Sequence, residues 1–199
     1  DVSGTRDGIY DYVSHDDLIV NNHIHAVRYG VHQMYTKNET LQGNISSNNV
    51  AGMALMSSAH LRVVGNHIFN DSSYGILFNY VTYSDIRGNE IHDIAQERGA
   101  ESQAVDGGEG KALFVYNSEF NRIHDNLLAG SSIGIHITAG SQDNLVYDNA
   151  FVNNRTQVKY VQNVAEEWSL DGKGNYWSNY LGWDLDGDGI GDVPFRPND

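Results

Sequence analysis

The feature that most constrains this chain is a repeat of about 22 residues. Short strand-like segments open at Gly8, Gly30, Gly52, Gly75, Gly110 and Gly134, at intervals of 22, 22, 23, 35 and 24 residues. A second series, Asn22, Asn44, Asn66, Asn89, Asn126 and Asn149, keeps step with intervals of 22, 22, 23, 37 and 23. Three residues ahead of each Asn stands an aliphatic side chain: Ile19, Leu41, Val63, Ile86, Ile123 or Val146. Aliphatic residues at every one of these positions mark a core row. The period is too short for paired helices, and the intervening segments are rich in Val, Ile, Tyr and Phe, which suit strands. The leucine-rich repeat has a similar period, but its Leu spacing and its helix pattern are missing. Coils of this length with Asn or Gly at the corners predict an all-β fold, a right-handed single-stranded parallel β-helix (a solenoid), stacked at about 4.8 Å per coil. Gly supplies left-handed or tight corners, and recurrent Asn can form a ladder of side-chain amides up the stack.

Composition narrows the partners. Of 199 residues 26 are acidic and 12 basic, a net charge of −14, which argues against nucleic acid or an anionic membrane surface. The 40% hydrophobic content is enough for a core. No apolar run approaches the roughly 18 residues of a membrane span, and the absence of Cys removes disulfides and thiolate metal sites. The chain opens at Asp1 with neither an initiator Met nor a secretory apolar segment, and reads as a piece of a longer or processed protein. Residues 1–165 are expected to form β-helix coils, and residues 166–199 a capping segment with an Asp/Gly-rich loop. The long interval holds an acidic, Gly-bearing insertion at about residues 93–109. Insertions in solenoids become loops on one face, often the binding face; a partner contact and a plain loop both remain open.

Strand alternation sorts side chains into core and surface. Counting from each coil-opening Gly, the inward positions are Ile9 and Asp11, Val31 and Gln33, Met53 and Leu55, Ile76 and Phe78, Lys111 and Leu113, Ile135 and Ile137. Asp11, Gln33 and Lys111 fit an interior poorly. The outward positions include Tyr10, Tyr12, His32, Met34, Ala54, Met56, Ala112 and Phe114. Met34 and Met56 fall at the same place on adjacent coils, with His32 on the same face and Tyr10, Tyr12 and Tyr35 around them. Thioether and imidazole donors suit copper, and the thioethers favour Cu(I). The bland alternative is an adaptable apolar surface.

Near the end of the chain, Asp184, Asp186, Asp188 and Asp192 alternate with Gly in Gly182-Trp-Asp-Leu-Asp-Gly-Asp-Gly-Ile-Gly-Asp192. Alternating carboxylates followed by Gly resemble the first half of a calcium loop. Phe195 stands where a bidentate Glu would be required, so the motif is partial; calcium binding and an Asp/Gly turn that only shapes the chain end both remain open. His23 and His67 occupy equivalent places just after the corner Asn, while His15, His60, His92 and His124 are scattered. All six read as corner or solvated histidines.

Several segments together resemble one family. Tyr29-Gly-Val-His-Gln-Met-Tyr-Thr36, Gly52-Met-Ala-Leu-Met-Ser57, Val63-Val-Gly-Asn66, Gly174-Asn-Tyr-Trp-Ser178 and the close from Gly182 to Asn198 follow the order and spacing of the NosD family. The similarity covers nearly the whole chain, which looks like the C-terminal half of such a protein. Gln33 stands where the family pattern has an aromatic; facing the core, it leaves the outward donors intact. The resemblance implies a periplasmic, non-enzymatic factor that works with an ABC transporter complex, the copper chaperone NosL and nitrous oxide reductase. It implies a transient Cu(I) site at His32, Met34 and Met56, open and low in ligand number because copper must leave again. Two rivals from other classes share the coil pattern: a polysaccharide lyase or epimerase, and a purely structural solenoid.

Overall fold

The computed structural model describes residues 1–95, 109–161 and 165–196. Every regular element among them is a β-strand, and the chain winds as a parallel β-solenoid of about seven coils. Each of the first six coils contributes one six-residue strand and two three-residue strands to three parallel sheets, and the last coil adds a six-residue strand and a two-residue one. The long sheet stacks β1 (Asp7–Tyr12), β4 (Tyr29–Met34), β7 (Ala51–Met56), β10 (Tyr74–Asn79), β13 (Lys111–Tyr116), β16 (Ile133–Thr138) and β19 (Thr156–Val161). The middle sheet stacks β2 (Leu18–Val20), β5 (Thr40–Gln42), β8 (Arg62–Val64), β11 (Asp85–Arg87), β14 (Arg122–His124) and β17 (Leu145–Tyr147). The third sheet stacks β3 (His23–His25), β6 (Ile45–Ser47), β9 (His67–Phe69), β12 (Glu90–His92), β15 (Leu127–Ala129), β18 (Ala150–Val152) and β20 (Tyr176–Trp177).

The aliphatic row is the wall of the core: Leu41, Val63, Ile86, Ile123 and Val146 are fully buried and Ile19 nearly so. Beside it runs the amide ladder. Nδ2 of each Asn donates to Oδ1 of the next along Asn22, Asn44, Asn66, Asn89, Asn126, Asn149 and Asn175, at 2.9–3.0 Å. From Asn44 onward each Nδ2 also donates to the carbonyl of the aliphatic residue one coil earlier, as Asn66 does to Leu41 at 2.9 Å. Each ladder Oδ1 also receives the backbone N–H of the preceding member, as Asn66 Oδ1 receives that of Asn44 at 3.0 Å. A corner that turns the backbone away from its neighbours is thereby kept hydrogen-bonded inside the protein.

The coil-opening glycines have a different cause from the one expected of a corner. Gly30, Gly52 and Gly75 do not have positive φ; a Cβ on Gly52 would lie 2.7 Å from Asp71 Oδ2 and 2.8 Å from the Gly75 carbonyl. They are small because the next coil is close. The left-handed corner that follows the long strands is filled instead by Val13, Tyr35, Ser57, Tyr80, Asn117 and Ala139.

One assignment by alternation is corrected. Gly110 does not open the strand of the fifth coil: Leu113 pairs with Ile76 and Phe114 with Leu77, so Ala112 takes the place of Gly75. The long interval is then 37 residues in both series. Lys111 is buried, yet it does not enter the core. It stands in the row of Tyr29, Ala51 and Tyr74, its Nζ 5.2 Å from the Tyr74 ring centroid and 4.7 Å from that of Phe114. Most of the insertion at about residues 93–109 lies outside the described residues.

Candidate functional site

The expected donors lie on the outer face of the long sheet. Val31 and Gln33 are fully buried on the core side, which turns His32 and Met34 outward. Met34 pairs in register with Met56 on the next coil. Outward does not mean open here. The His32 ring is only 8% exposed, held between Tyr10 and Tyr29 with ring centroids 5.0 Å away on each side. Tyr10 touches both kinds of donor, because its hydroxyl also points at Met34 Sδ from 3.9 Å. Tyr12 and Tyr35 continue the aromatic fringe, 5.9 Å apart and half exposed.

Asp7 fixes the imidazole. Its Oδ2 lies 3.1 Å from His32 Nδ1, and its carboxylate is gripped by Arg28 at 2.8 and 2.6 Å. Burial works against the Asp7 charge, but Arg28 and His32 hold its carboxyl below the ordinary range. An ionised Asp7 accepts a hydrogen bond from Nδ1–H, and in the neutral ring that tautomer puts the lone pair on Nε2. That atom is buried and has no hydrogen-bond partner. A buried nitrogen lone pair without a donor is costly to keep, and it lies on the face that carries the two thioethers.

Asp11 and Gln33, two of the polar residues that fit the interior poorly, bond to each other, while Gln33 Oε1 has no partner. Gln33 Nε2 donates to Asp11 Oδ2 at 3.1 Å, and Ser14 Oγ donates to Asp11 Oδ1 and, at 3.4 Å, to Glu39 Oε1. Asp11, Asp17 and Glu39 converge there.

The terminal loop gathers Asp184, Asp186 and Asp188 within one cluster, all exposed. Asp192 stands apart from that cluster, accepting the Leu185 N–H at 2.9 Å. The clustered carboxylates already accept backbone N–H groups: Asp184 from Gly187 at 2.7 Å and Gly189 at 2.9 Å, Asp188 from Ile190 at 2.7 Å. The Gly189 N–H, helped by Gly187 and Asp188, holds the Asp184 carboxyl low. These are the bonds of an Asp/Gly turn.

Alternation along the long strands did not reach one further group. His67 and His92, read from sequence as separate corner histidines, face each other across adjacent coils with their Nε2 atoms 2.9 Å apart. Applying the same alternation to the short strands after each corner Asn would have placed both outward.

Fold and surface together define a parallel β-solenoid protein that carries imidazole and thioether donors on its outer faces. Residues 1–182 match the family model described as "Periplasmic copper-binding protein (NosD)", and the chain belongs to the NosD family. The probable ABC transporter binding protein NosD of Stutzerimonas stutzeri is 55% identical over 146 residues, covering 73% of this chain and 34% of that protein. Its namesake in Pseudomonas aeruginosa is 54% identical over 142 residues, covering 71% and 33%. The chain thus spans about a third of the length of the curated relatives it matches. Among solved structures, the A-module of mannuronan C-5 epimerase AlgE6 from Azotobacter vinelandii is similar with a TM-score of 0.61 and 13% identity, over 85% of this chain and 54% of that one. At that identity the likeness shows the solenoid fold alone. Among the described residues no helix is long and apolar enough to cross a membrane.

Proposed function

We propose that this chain is part of a non-enzymatic maturation factor in the periplasm that passes copper toward nitrous oxide reductase, together with an ABC transporter complex and the copper chaperone NosL. Copper is cargo in this reading, held for a time by His32, Met34 and Met56. The observation that supports it most is the unpartnered His32 Nε2, oriented by Asp7 on the strand face that also carries the paired thioethers. Two soft sulfurs and one neutral imidazole favour Cu(I). So few ligands suit a site that must also release its metal, and a docking partner would cover the aromatic fringe while copper moves. The family's description and the names of its relatives agree with a copper-binding protein that works beside a transporter. The Asp184–Asp192 loop serves here as a structural or docking element.

The test is anaerobic Cu(I) competition against a chromogenic chelator under reducing conditions, with a Met34→Leu/Met56→Leu double variant alongside. The variant keeps the fold, because the two side chains lie outside the core, and its Cu(I) affinity falls at least tenfold. A parent chain that binds no Cu(I), or a variant that binds it equally well, contradicts the reading. Turnover of uronic-acid polymers would contradict its non-enzymatic part.

A further inference from the structure

The third sheet carries its own donor cluster, separate from the copper reading and made of different ligands. The buried middle residues Ile68 and Ile91 turn His67, Phe69, Glu90 and His92 to the outer face of β9 and β12. In that register Glu90 lies opposite His67, and His92 lies opposite Phe69. One ligand atom from each of His67, Glu90 and His92 falls within 4.8 Å of the others.

Two features support this cluster as a site, although the first, an Asp behind a His Nδ1, recurs at His15–Asp16 and His124–Asp125. The first is orientation. Asp93 Oδ2 lies 2.8 Å from His92 Nδ1, so the Nδ1 proton is committed to the carboxylate and the lone pair sits on Nε2. His67 Nε2–H donates to that Nε2 at 2.9 Å, a proton that a bound cation would replace, and a carboxylate behind a histidine is the usual support of a metal-binding imidazole. The Phe69 ring stacks on His92 at 5.4 Å and 5°, and packs on His67 at 4.6 Å, which holds both rings in place. The second is space. On the next coil Ala129 and Gly130 are small, and a hollow of about 290 Å³ opens there, lined by Glu90, His92, Asp93, Leu127 and Val152 among others. The hollow reaches Glu90 and His92, so a solvent ligand has room beside those two side chains.

We propose that His67, Glu90 and His92 form a binding site for a borderline divalent cation of the Zn2+ type, with Asp93 positioning His92. Two imidazoles, one carboxylate and water make a four-coordinate set at Zn–N and Zn–O distances of about 2.0–2.2 Å. Tetrahedral geometry at those distances separates the two nitrogens by roughly 3.3 Å, a few tenths of an ångström more than they now have. Without sulfur the set does not select Cu(I), so it is distinct in chemistry from His32, Met34 and Met56.

The experiment is Zn2+ competition against a chromogenic chelator on the 199-residue chain, with His67→Gln and His92→Gln variants checked by thermal unfolding. Gln keeps polarity and much of the bulk on an exposed face. The parent retains one Zn2+ per chain, each variant loses at least tenfold in affinity, and Asp93→Asn loses about tenfold. The Met34→Leu/Met56→Leu variant binds Zn2+ as the parent does, so failure here and failure of the copper reading are separable. A parent that retains no Zn2+, or folded His67→Gln and His92→Gln variants that both bind it unchanged, overturns the proposal.

Discussion

Glu39 is fully buried within the first coils, and its Oε2 has no hydrogen-bond partner. Burial, then the charges of Asp11 and Asp17, push its carboxyl up to about 7. A carboxyl raised in the folded state holds its proton longer than in the unfolded chain, so its contribution is complete below about pH 4.5 and is lost as pH rises through 7. Glu39→Gln keeps the shape and removes the charge. It should leave stability unchanged at pH 4 and raise it by about 1–3 kcal/mol at pH 8, measured by urea unfolding at both values. An equal effect at both pH values would contradict this account. Sequence signalled only that Asp11 and Gln33 sit awkwardly in a core; their mutual hydrogen bond and the convergence of Glu39 come from a corner that strand alternation does not describe. His32 was legible as an outward donor in the same way. Its cover by Tyr10 and Tyr29 was not, because the packing of neighbouring rings depends on rotamers rather than on spacing.

The elements owe their register to the ladder more than to any single strand, since three-residue strands contribute few hydrogen bonds of their own. Asn66→Ala strips partners from the Asn44 N–H and Nδ2, from the Leu41 carbonyl and from Asn89 Oδ1. These groups are buried and cannot turn to water, so the change should cost about 2–4 kcal/mol, read as a lower denaturant midpoint. A loss under 1 kcal/mol would mean that the ladder is not what holds the coils in step. This part of the fold was readable in advance because it repeats: a corner Asn with an aliphatic residue three places ahead requires only counting. The fifth coil shows the limit. An insertion before it brings its own Gly110, which looks like a coil opener, while Ala112 occupies the tight place against the neighbouring coils. A glycine selected for close approach and one selected for positive φ look alike in sequence.

As a whole the molecule is close to one-dimensional: each coil touches its neighbours, and stability accumulates along the stack. The end of such a stack needs cover for its last layer of core. Trp177 lies on Phe151 with ring centroids 4.4 Å apart, and Trp168 and Phe195 close around it at 6.1 and 4.9 Å. Trp177→Ala should cost about 3 kcal/mol and speed amide exchange first in β18, before the early coils; uniform exchange along the stack would contradict this. Rigidity of this kind lets a solenoid offer fixed donors to a partner without refolding, which is the role assigned to the face of His32, Met34 and Met56. X-ray absorption of the Cu(I)-loaded chain tests that claim most directly. The chain has no cysteine, and of its three methionines Met53 is fully buried in the core, so a sulfur shell can come only from Met34 and Met56. The account predicts sulfur scatterers together with one imidazole; a shell of nitrogen and oxygen alone would contradict it.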